Sequence, residues 1–221
     1  MKLAKDSRGW ISVPIILTAA LAAAGNWYIS AAAFMGLLFM IFFHRDPDRL
    51  PQSEGMLSPA DGRIIQATPE KVTVFMGFGD VHVNRSPLDG TIISVEQRKG
   101  THLPAFLNRS CQNQQNRIRI DTEDGEIQLC QITGTFVREI ICYVKPGDHV
   151  LRGERIGMIR FGSRVETTIP RRYKLPVAIG DSVRAGKTVL AIKCNSELPG
   201  VPVASGSSGV LVSSGSPGVT S

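Results

Sequence analysis

The feature with the most chemistry in it is a glycine–serine bond inside an apolar, strand-like run, Met158-Ile159-Arg160-Phe161-Gly162-Ser163-Arg164. The Ser163 hydroxyl can attack the carbonyl of the residue before it and turn that amide into an ester. Glycine at 162 leaves the carbonyl sterically open and admits strained backbone angles. Elimination of the ester would cut the chain and leave a dehydroalanine, and hydrolysis of that residue leaves a pyruvoyl group at the new N-terminus. Ser163 would then have become the chain's own electrophilic cofactor. The dipeptide alone proves little, because it recurs as Gly206-Ser207 and Gly215-Ser216 in a Gly/Ser-rich tail that reads as linker.

Acid/base groups come next. Asp80-Val81-His82-Val83-Asn84-Arg85-Ser86-Pro87 puts a carboxylate and an imidazole two residues apart, on one side of a strand. That pairing suits proton transfer. Ser58-Pro59-Ala60-Asp61-Gly62 reads by itself as a turn ahead of a strand. His44 adjoins a long apolar run, and His102 and His149 lie in polar turn contexts. Cys111, Cys130, Cys142 and Cys194 form no CxxC pair and no metal-ligand spacing, so they read as scattered small hydrophobes in a reducing compartment, with no metal expected. HExxH, Walker and GxGxxG patterns are absent, which leaves zinc-peptidase, P-loop and dinucleotide readings without support.

The elements that must position these groups fall into four segments. Residues 1–43 hold the uncharged run Ile11–Phe43, interrupted at Gly25-Asn26-Trp27. A bilayer crossing needs about 20 apolar residues, and each half is short for one. Lys2, Lys5 and Arg8 precede the run and Arg45 and Arg49 follow it, which places both ends on the cytoplasmic side. A hydrophobic membrane hairpin fits best, with the anchor expected to be separable from the cut. Residues 44–54 read as a charged linker, His44-Arg45-Asp46-Pro47-Asp48-Arg49 at its start. Residues 55–195 carry short β-rich runs between Gly, Pro and Asp turns: Arg63–Ala67, Lys71–Met76, Gly90–Gln97, Arg117–Asp121, Glu126–Thr133 and Glu139–Val144. The stretch His102–Ser110 is open between short helix and loop. Residues 196–221 read as a flexible tail.

An internal repeat runs through the β-rich part. Val144-x-x-Gly147-Asp148-x-Val150-x-x-Gly153-x-x-Ile156-x-x-Ile159 matches Val177-x-x-Gly180-Asp181-x-Val183-x-x-Gly186-x-x-Val189-x-x-Ile192 at a constant offset. Two such units facing each other predict a mainly β domain, a duplicated small sandwich or barrel-like body. The net charge of +6 and pI near 9.4 favour anionic partners. With 6% aromatics and no basic helix interleaved with stacking rings, that partner is a membrane surface rather than nucleic acid.

HRDPDR, SPADG, DVHVNRSP, GERIGMIRFGSRVE and VAIGDSVRAGKTVLAI, in that order over roughly residues 36–193, resemble the short, archaeal-type phosphatidylserine decarboxylases. The resemblance implies a proenzyme that cuts itself between Gly162 and Ser163 and carries a pyruvoyl group from Ser163 as its covalent cofactor. That group's ketone would condense with the substrate amine and act as an electron sink. It implies a membrane phospholipid substrate, carbon dioxide and an ethanolamine lipid as products, and a heterodimer of the two fragments, with higher oligomers left open. Asp61 matches the family's catalytic aspartate, and His82 a histidine tied to decarboxylation. Longer relatives have a second histidine three residues on, implicated in self-cleavage; here that position is Arg85, which leaves Asp61 and His82 as candidates for the base. Two other readings stand beside it: a pyruvoyl decarboxylase of a soluble amino acid, and a membrane-tethered biotinyl- or lipoyl-like adaptor without enzymatic activity.

Overall fold

A computed structural model of the chain describes residues 2–51, 53–101, 103, 105, 112–135 and 139–194. The tail at 196–221 and nearly all of the stretch His102–Ser110 lie outside the described residues.

The uncharged run forms two helices, α1 (Arg8–Ala23) and α2 (Trp27–Phe43). Gly25, at φ 74°, takes the left-handed conformation that lets the chain reverse between them. The helices lie against each other, and Ser30 Oγ donates to the Thr18 carbonyl at 3.0 Å. With 16 and 17 residues they are about 24–26 Å long. No described helix is long and apolar enough to cross a membrane. At the base of the hairpin β1 (Lys2–Leu3) pairs antiparallel with β2 (Arg45–Asp46), so both basic flanks emerge at one end.

The first residues of the segment read as a charged linker, 44–49, pack onto the β domain, while Leu50, Ser53 and Glu54 are exposed. His44, Asp46 and Arg49 are buried or nearly so. Asp46 accepts from Arg85 Nη2 at 3.3 Å and from Arg155 Nε at 2.5 Å. Arg85 also donates to the carbonyls of Gly153 and Pro47, at 2.8 and 2.9 Å. These bonds clamp the exit from the hairpin onto the β domain.

That domain is built from β3 (Met56–Leu57), β4 (Gly62–Thr68), β5 (Lys71–Met76), β6 (Val83–Arg85), β7 (Gly90–Arg98), β8 (Gln115–Thr122), β9 (Gly125–Ile132), β10 (Ile140–Cys142), β11 (His149–Val150), β12 (Arg155–Ile159), β13 (Ser163–Thr168), β14 (Tyr173–Lys174), β15 (Ser182–Val183) and β16 (Val189–Lys193). Period-2 alternation explains the longer ones. In β8, Ile118 and Ile120 face the core while Arg117 and Arg119 face out. The mainly β expectation is met, and the predicted runs fall within a few residues of β4, β5, β7, β8, β9 and β10.

Eight strands make one curled antiparallel sheet in the order β11-β7-β8-β9-β13-β5-β4-β15. The order reads the same from either end once β11 is matched to β15, β7 to β4, β8 to β5 and β9 to β13. Two three-stranded sheets, β10-β12-β6 and β14-β16-β3, are matched likewise. The Gly-Asp-x-Val repeat therefore does not build two separate units facing each other; its strands are dealt to all three of these sheets.

A second repeat underlies the match, Ser58-Pro59-Ala60-Asp61-Gly62 against Ser86-Pro87-Leu88-Asp89-Gly90. Its hydrogen bonds are duplicated. Ser58 and Ser86 each donate to the carbonyl two residues on at 2.7 Å. Asp61 caps the Ala185 amide at 2.7 Å, and Asp89 caps Arg152 at 2.8 Å. Bulges fall at Ile64/Gln66 in β4 and Ile92/Ser94 in β7, at the same offset as the motif.

Asp46→Asn removes the charge that Arg85, 3% exposed, is buried against. The substitution is expected to cost about 3–5 kcal/mol, read as a lower urea midpoint followed by tryptophan fluorescence. An unchanged midpoint would show that the clamp does not hold the hairpin.

Candidate active site

Ser163 opens β13 and is fully buried. Ladders on both sides pin it: Ser163 pairs with Met76 of β5, and Arg164 with Ile132 of β9. Its hydroxyl donates to Met76 Sδ at 3.4 Å. The same sulfur lies 3.7 Å from Asn84 Nδ2. Asn84 continues a line of buried amides, accepting from Gln131 Nε2 at 2.7 Å, while Asn116 donates to Gln131 at 2.8 Å.

The residues ahead of Ser163 are strained. Phe161 and Gly162 have φ of 57° and 58°, two consecutive left-handed residues. Gly162 has open space where a side chain would go, so its backbone conformation, not crowding, calls for glycine. Phe161 is a genuine outlier for a bulky residue. Its ring stacks on Phe43 at 4.2 Å and 9°, and Phe43 in turn lies 4.3 Å from the His82 ring. Trp10 and Phe39 close around the same group. The last residue of the hairpin is thus packed against Phe161, which precedes Gly162 and the candidate scissile bond, and the separability of anchor and cut expected from the sequence is not what this packing favours.

Gly134 faces the Gly162–Ser163 bond from the other side. The β9–β13 register, carried two steps past Arg164↔Ile132, sets Gly134 opposite Gly162. A Cβ on Gly134 would collide with the Gly162 carbonyl oxygen. Nothing in the sequence marks this glycine, since register is invisible there.

His82 is fully buried but sits just before β6 rather than inside a strand. The expected carboxylate–imidazole pair with Asp80 does not form. The Asp80 carboxylate caps the Gly77 amide at 2.7 Å, and His82 Nδ1 meets the Asp80 backbone carbonyl at 2.9 Å. A carbonyl can only accept, so Nδ1 carries the proton and Nε2 has the free lone pair. That Nε2 is buried without a partner among the described residues. Burial, the largest cause, pushes the His82 pKa down to about 4. At neutral pH the ring is therefore a proton acceptor first.

Asp61 is placed differently. Arg49 grips both its oxygens, the second at 2.8 Å, and the Ala185 amide takes one as well. Neither Asp61 nor His82 hydrogen-bonds Ser163 in the uncut chain. Gly62 lies one step along β4 from Arg63, which pairs with Phe75, so Asp61 stands two strands across from the cut, with β5 between. Arg85 turns its guanidinium to the hairpin exit and not to Ser163.

The model of the phosphatidylserine decarboxylase family matches residues 67–191 of this chain. The chain is 40% identical over 202 residues to a protein of Methanococcoides burtonii provisionally named archaetidylserine decarboxylase proenzyme, covering 87% of this chain and 97% of that one. A protein of Methanosarcina acetivorans with the same provisional name is 41% identical over 200 residues, 86% of this chain and 96% of its own length. The phosphatidylserine decarboxylase proenzyme of Streptomyces griseus is 39% identical over 199 residues, 85% and 92%.

A buried neutral histidine has a sign that can be checked. With its pKa at about 4 in the folded chain and 6.5 when unfolded, the unfolded chain holds the extra proton between those values. Stability therefore rises with pH across that window and is lost on acidification below 6.5. His44, lowered chiefly by burial, acts in the same direction. Going from pH 7 to 5 should cost about 2 kcal/mol through His82 alone, and His82→Gln should flatten that part of the urea-midpoint profile. An identical profile in the variant would contradict the burial.

Proposed function

The chain belongs to the phosphatidylserine decarboxylase family, and from that membership we propose a proenzyme that cuts itself between Gly162 and Ser163 to decarboxylate the serine headgroup of a membrane phospholipid. The observation that carries this is the pair of left-handed residues, Phe161 and Gly162, directly ahead of a buried, doubly pinned serine. Ser163 Oγ attacks the Gly162 carbonyl; the O–C bond forms as the C–N bond breaks. Loss of the Ser163 α-proton then expels Gly162 as a carboxylate and leaves dehydroalanine, which water converts to a pyruvoyl group with release of ammonia. Strain in the 161–162 backbone is relieved by the first step.

Fit to a pyruvoyl cofactor rests on the surroundings of Ser163. The group would need a dry pocket and a proton carrier, and buried Ser163 has both near it in the Phe43–Phe161 stack and the unpartnered His82 Nε2. When formed, it supplies an electron sink for the pair left by departing carbon dioxide. His82 takes up a proton at Nε2 and returns it to the substrate α-carbon. Asp61 holds Arg49 and the Ala185 amide in place two strands across from that site.

After the cut the fragments stay together as a heterodimer. Strands of the smaller one, β13, β15 and β16, pair with β5 and β9, β4, and β3 of the larger. The helical hairpin anchors the domain. Val13, Ile16, Trp27, Tyr28 and Met35 are exposed along it, an apolar surface that water does not favour. We place the domain on the cytoplasmic face of the cell membrane, a reading supported by both basic flanks leaving the hairpin at one end.

Purified protein should run as two fragments, 1–162 and 163–221, and Ser163→Ala as one inactive chain. Edman degradation should stall on the smaller fragment, which has no α-amine. A free serine amine there, or a Ser163→Ala chain still cut after residue 162, overturns the mechanism. The two steps should also come apart by residue. Gly134→Ala displaces the scissile carbonyl and should slow the cut by about 10²-fold. His82→Ala should be cut more slowly yet completely, while decarboxylation falls about 10²–10⁴-fold. Normal processing of Gly134→Ala, or full decarboxylation by His82→Ala, would exclude the assigned roles.

A further inference from the structure

Beside Asp61 two adjoining hollows of ≈ 520 and ≈ 370 Å³ share Asp61, Asp80 and Arg184 in their walls. Arg63 lines the first, and Arg49 and Lys187 the second. Their floor is the loop from Gly77 to Val81, which joins Met76, the neighbour of Ser163, to His82. Some of the charge is already engaged: Arg49 is taken up by Asp61, and Asp80 by the Gly77 amide. The side chains of Arg63, Arg184 and Lys187 have no hydrogen bond or ion pair among the described residues that would account for them.

The duplication says whether the fold needs these cations. At the offsets of the two repeats, Arg63 corresponds to Thr91, Arg184 to Leu151 and Lys187 to Glu154. The backbone around the two sets is the same: Ser182 pairs with Arg63 as His149 pairs with Thr91, and Asp61 caps Ala185 as Asp89 caps Arg152. One half folds with threonine, leucine and glutamate where the other places three cations. Their charge is therefore not required by the architecture, and Arg63 and Arg184 are exposed and available to a ligand.

We propose that Arg63, Arg184 and Lys187 form the subsite for the phosphodiester of the lipid substrate. This rests on the decarboxylase reading above. A phosphodiester offers several acceptor oxygens and a full negative charge, which converging guanidinium and ammonium donors suit. The site's height fits as well: Arg45, in the exit just past α2, lines the second hollow, so the cleft lies where the chain leaves its apolar hairpin, at the level of lipid headgroups. Held there, the headgroup points its serine across the Gly77–Val81 loop toward Ser163 and His82.

The test uses the full chain with serine phospholipid in neutral detergent micelles, measuring released carbon dioxide. The variants are Arg63→Thr, Arg184→Leu and Lys187→Glu, residues that the matched half already accommodates. Arg63→Thr and Arg184→Leu should each raise KM about tenfold, the loss of one charge-assisted contact, and Lys187→Glu by more than that because it adds repulsion, each with a smaller change in kcat. Inhibition by glycerol 3-phosphate, a tailless phosphate, should weaken in parallel. Binding to phosphatidylglycerol vesicles, which carry the same phosphate chemistry without the substrate, should hold. An unmoved KM sinks the subsite. Loss of vesicle binding at constant micellar KM would instead make these residues bulk surface anchors, which equally overturns the proposal. Should Arg184→Leu fail to be processed, Arg63→Thr on the neighbouring strand reads the same outcome. A wild-type chain that releases no carbon dioxide denies the decarboxylase reading itself, a result distinct from either.

Discussion

Two consecutive left-handed residues, Phe161 and Gly162, are the constraint on which the rest of the site depends. For phenylalanine that conformation costs roughly 1–2 kcal/mol, so packing must hold it. The parallel stack on Phe43 does so, adding about 0.5–1.5 kcal/mol beyond the area it buries. On the other side of the bond, β13 is fixed by ladders to β5 and β9. Between a stacked ring and a pinned strand the peptide at 162–163 has little freedom, and restricted freedom is what an intramolecular attack needs. Phe43 ends α2, and α2 is tied down through Asp46 to Arg85 and Arg155. Docking of the hairpin and strain at the cut are thus one energetic unit.

The duplicated architecture explains why the bond lies where it does. In one half β8 and β9 are joined by a tight turn at Glu123-Asp124, and they pair along their whole length. The strands matched to them, β5 and β13, pair in the same way but are not consecutive; the chain enters β13 from β12, in another sheet. Matching the registers sets Ser163 against Gly125. The relaxed hairpin turn of one half is replaced in the other by a forced crossing between sheets, and the left-handed pair is how the backbone makes that crossing. Asp61 and Asp89 make the complementary point. Both cap an amide of the repeat, so part of what Asp61 does is architectural; only Asp61 also has Arg49, brought by the hairpin's exit.

Much of this was legible in the sequence, for identifiable reasons. Alternating side chains and Gly/Pro punctuation gave the strands from Arg63 to Val144 to within a few residues, because those signals are local. The Gly162-Ser163 bond and the Gly-Asp-x-Val repeat were visible for the same reason. The Ser-Pro-x-Asp-Gly repeat was not, since each copy reads as an ordinary turn until its hydrogen bonds are seen twice. Gly134, Met76 and Phe43 were missed because each reaches the site through register or packing over long sequence distances. The Asp80–His82 pairing was expected from strand alternation, and it failed because the Gly77–Val81 loop turns Asp80 onto its own backbone.

Arg85 shows how a missing histidine can be accommodated. Its guanidinium faces Gly153, Pro47 and Asp46, so the position serves the docking of the hairpin and not proton transfer. His82 then offers a bare imidazole nitrogen beside the Phe43–Phe161 stack, and His44 Nε2 is the other imidazole nitrogen buried without a partner among the described residues. On the proposed mechanism His82 is enough, because the two demands on it are separated in time. Self-cleavage happens once and needs an acceptor, the form in which burial already keeps His82. Decarboxylation follows, and needs a donor. The donor is that acceptor's own conjugate acid: burial makes the proton costly to hold at Nε2, and the same cost makes the imidazolium a strong acid toward a carbanion.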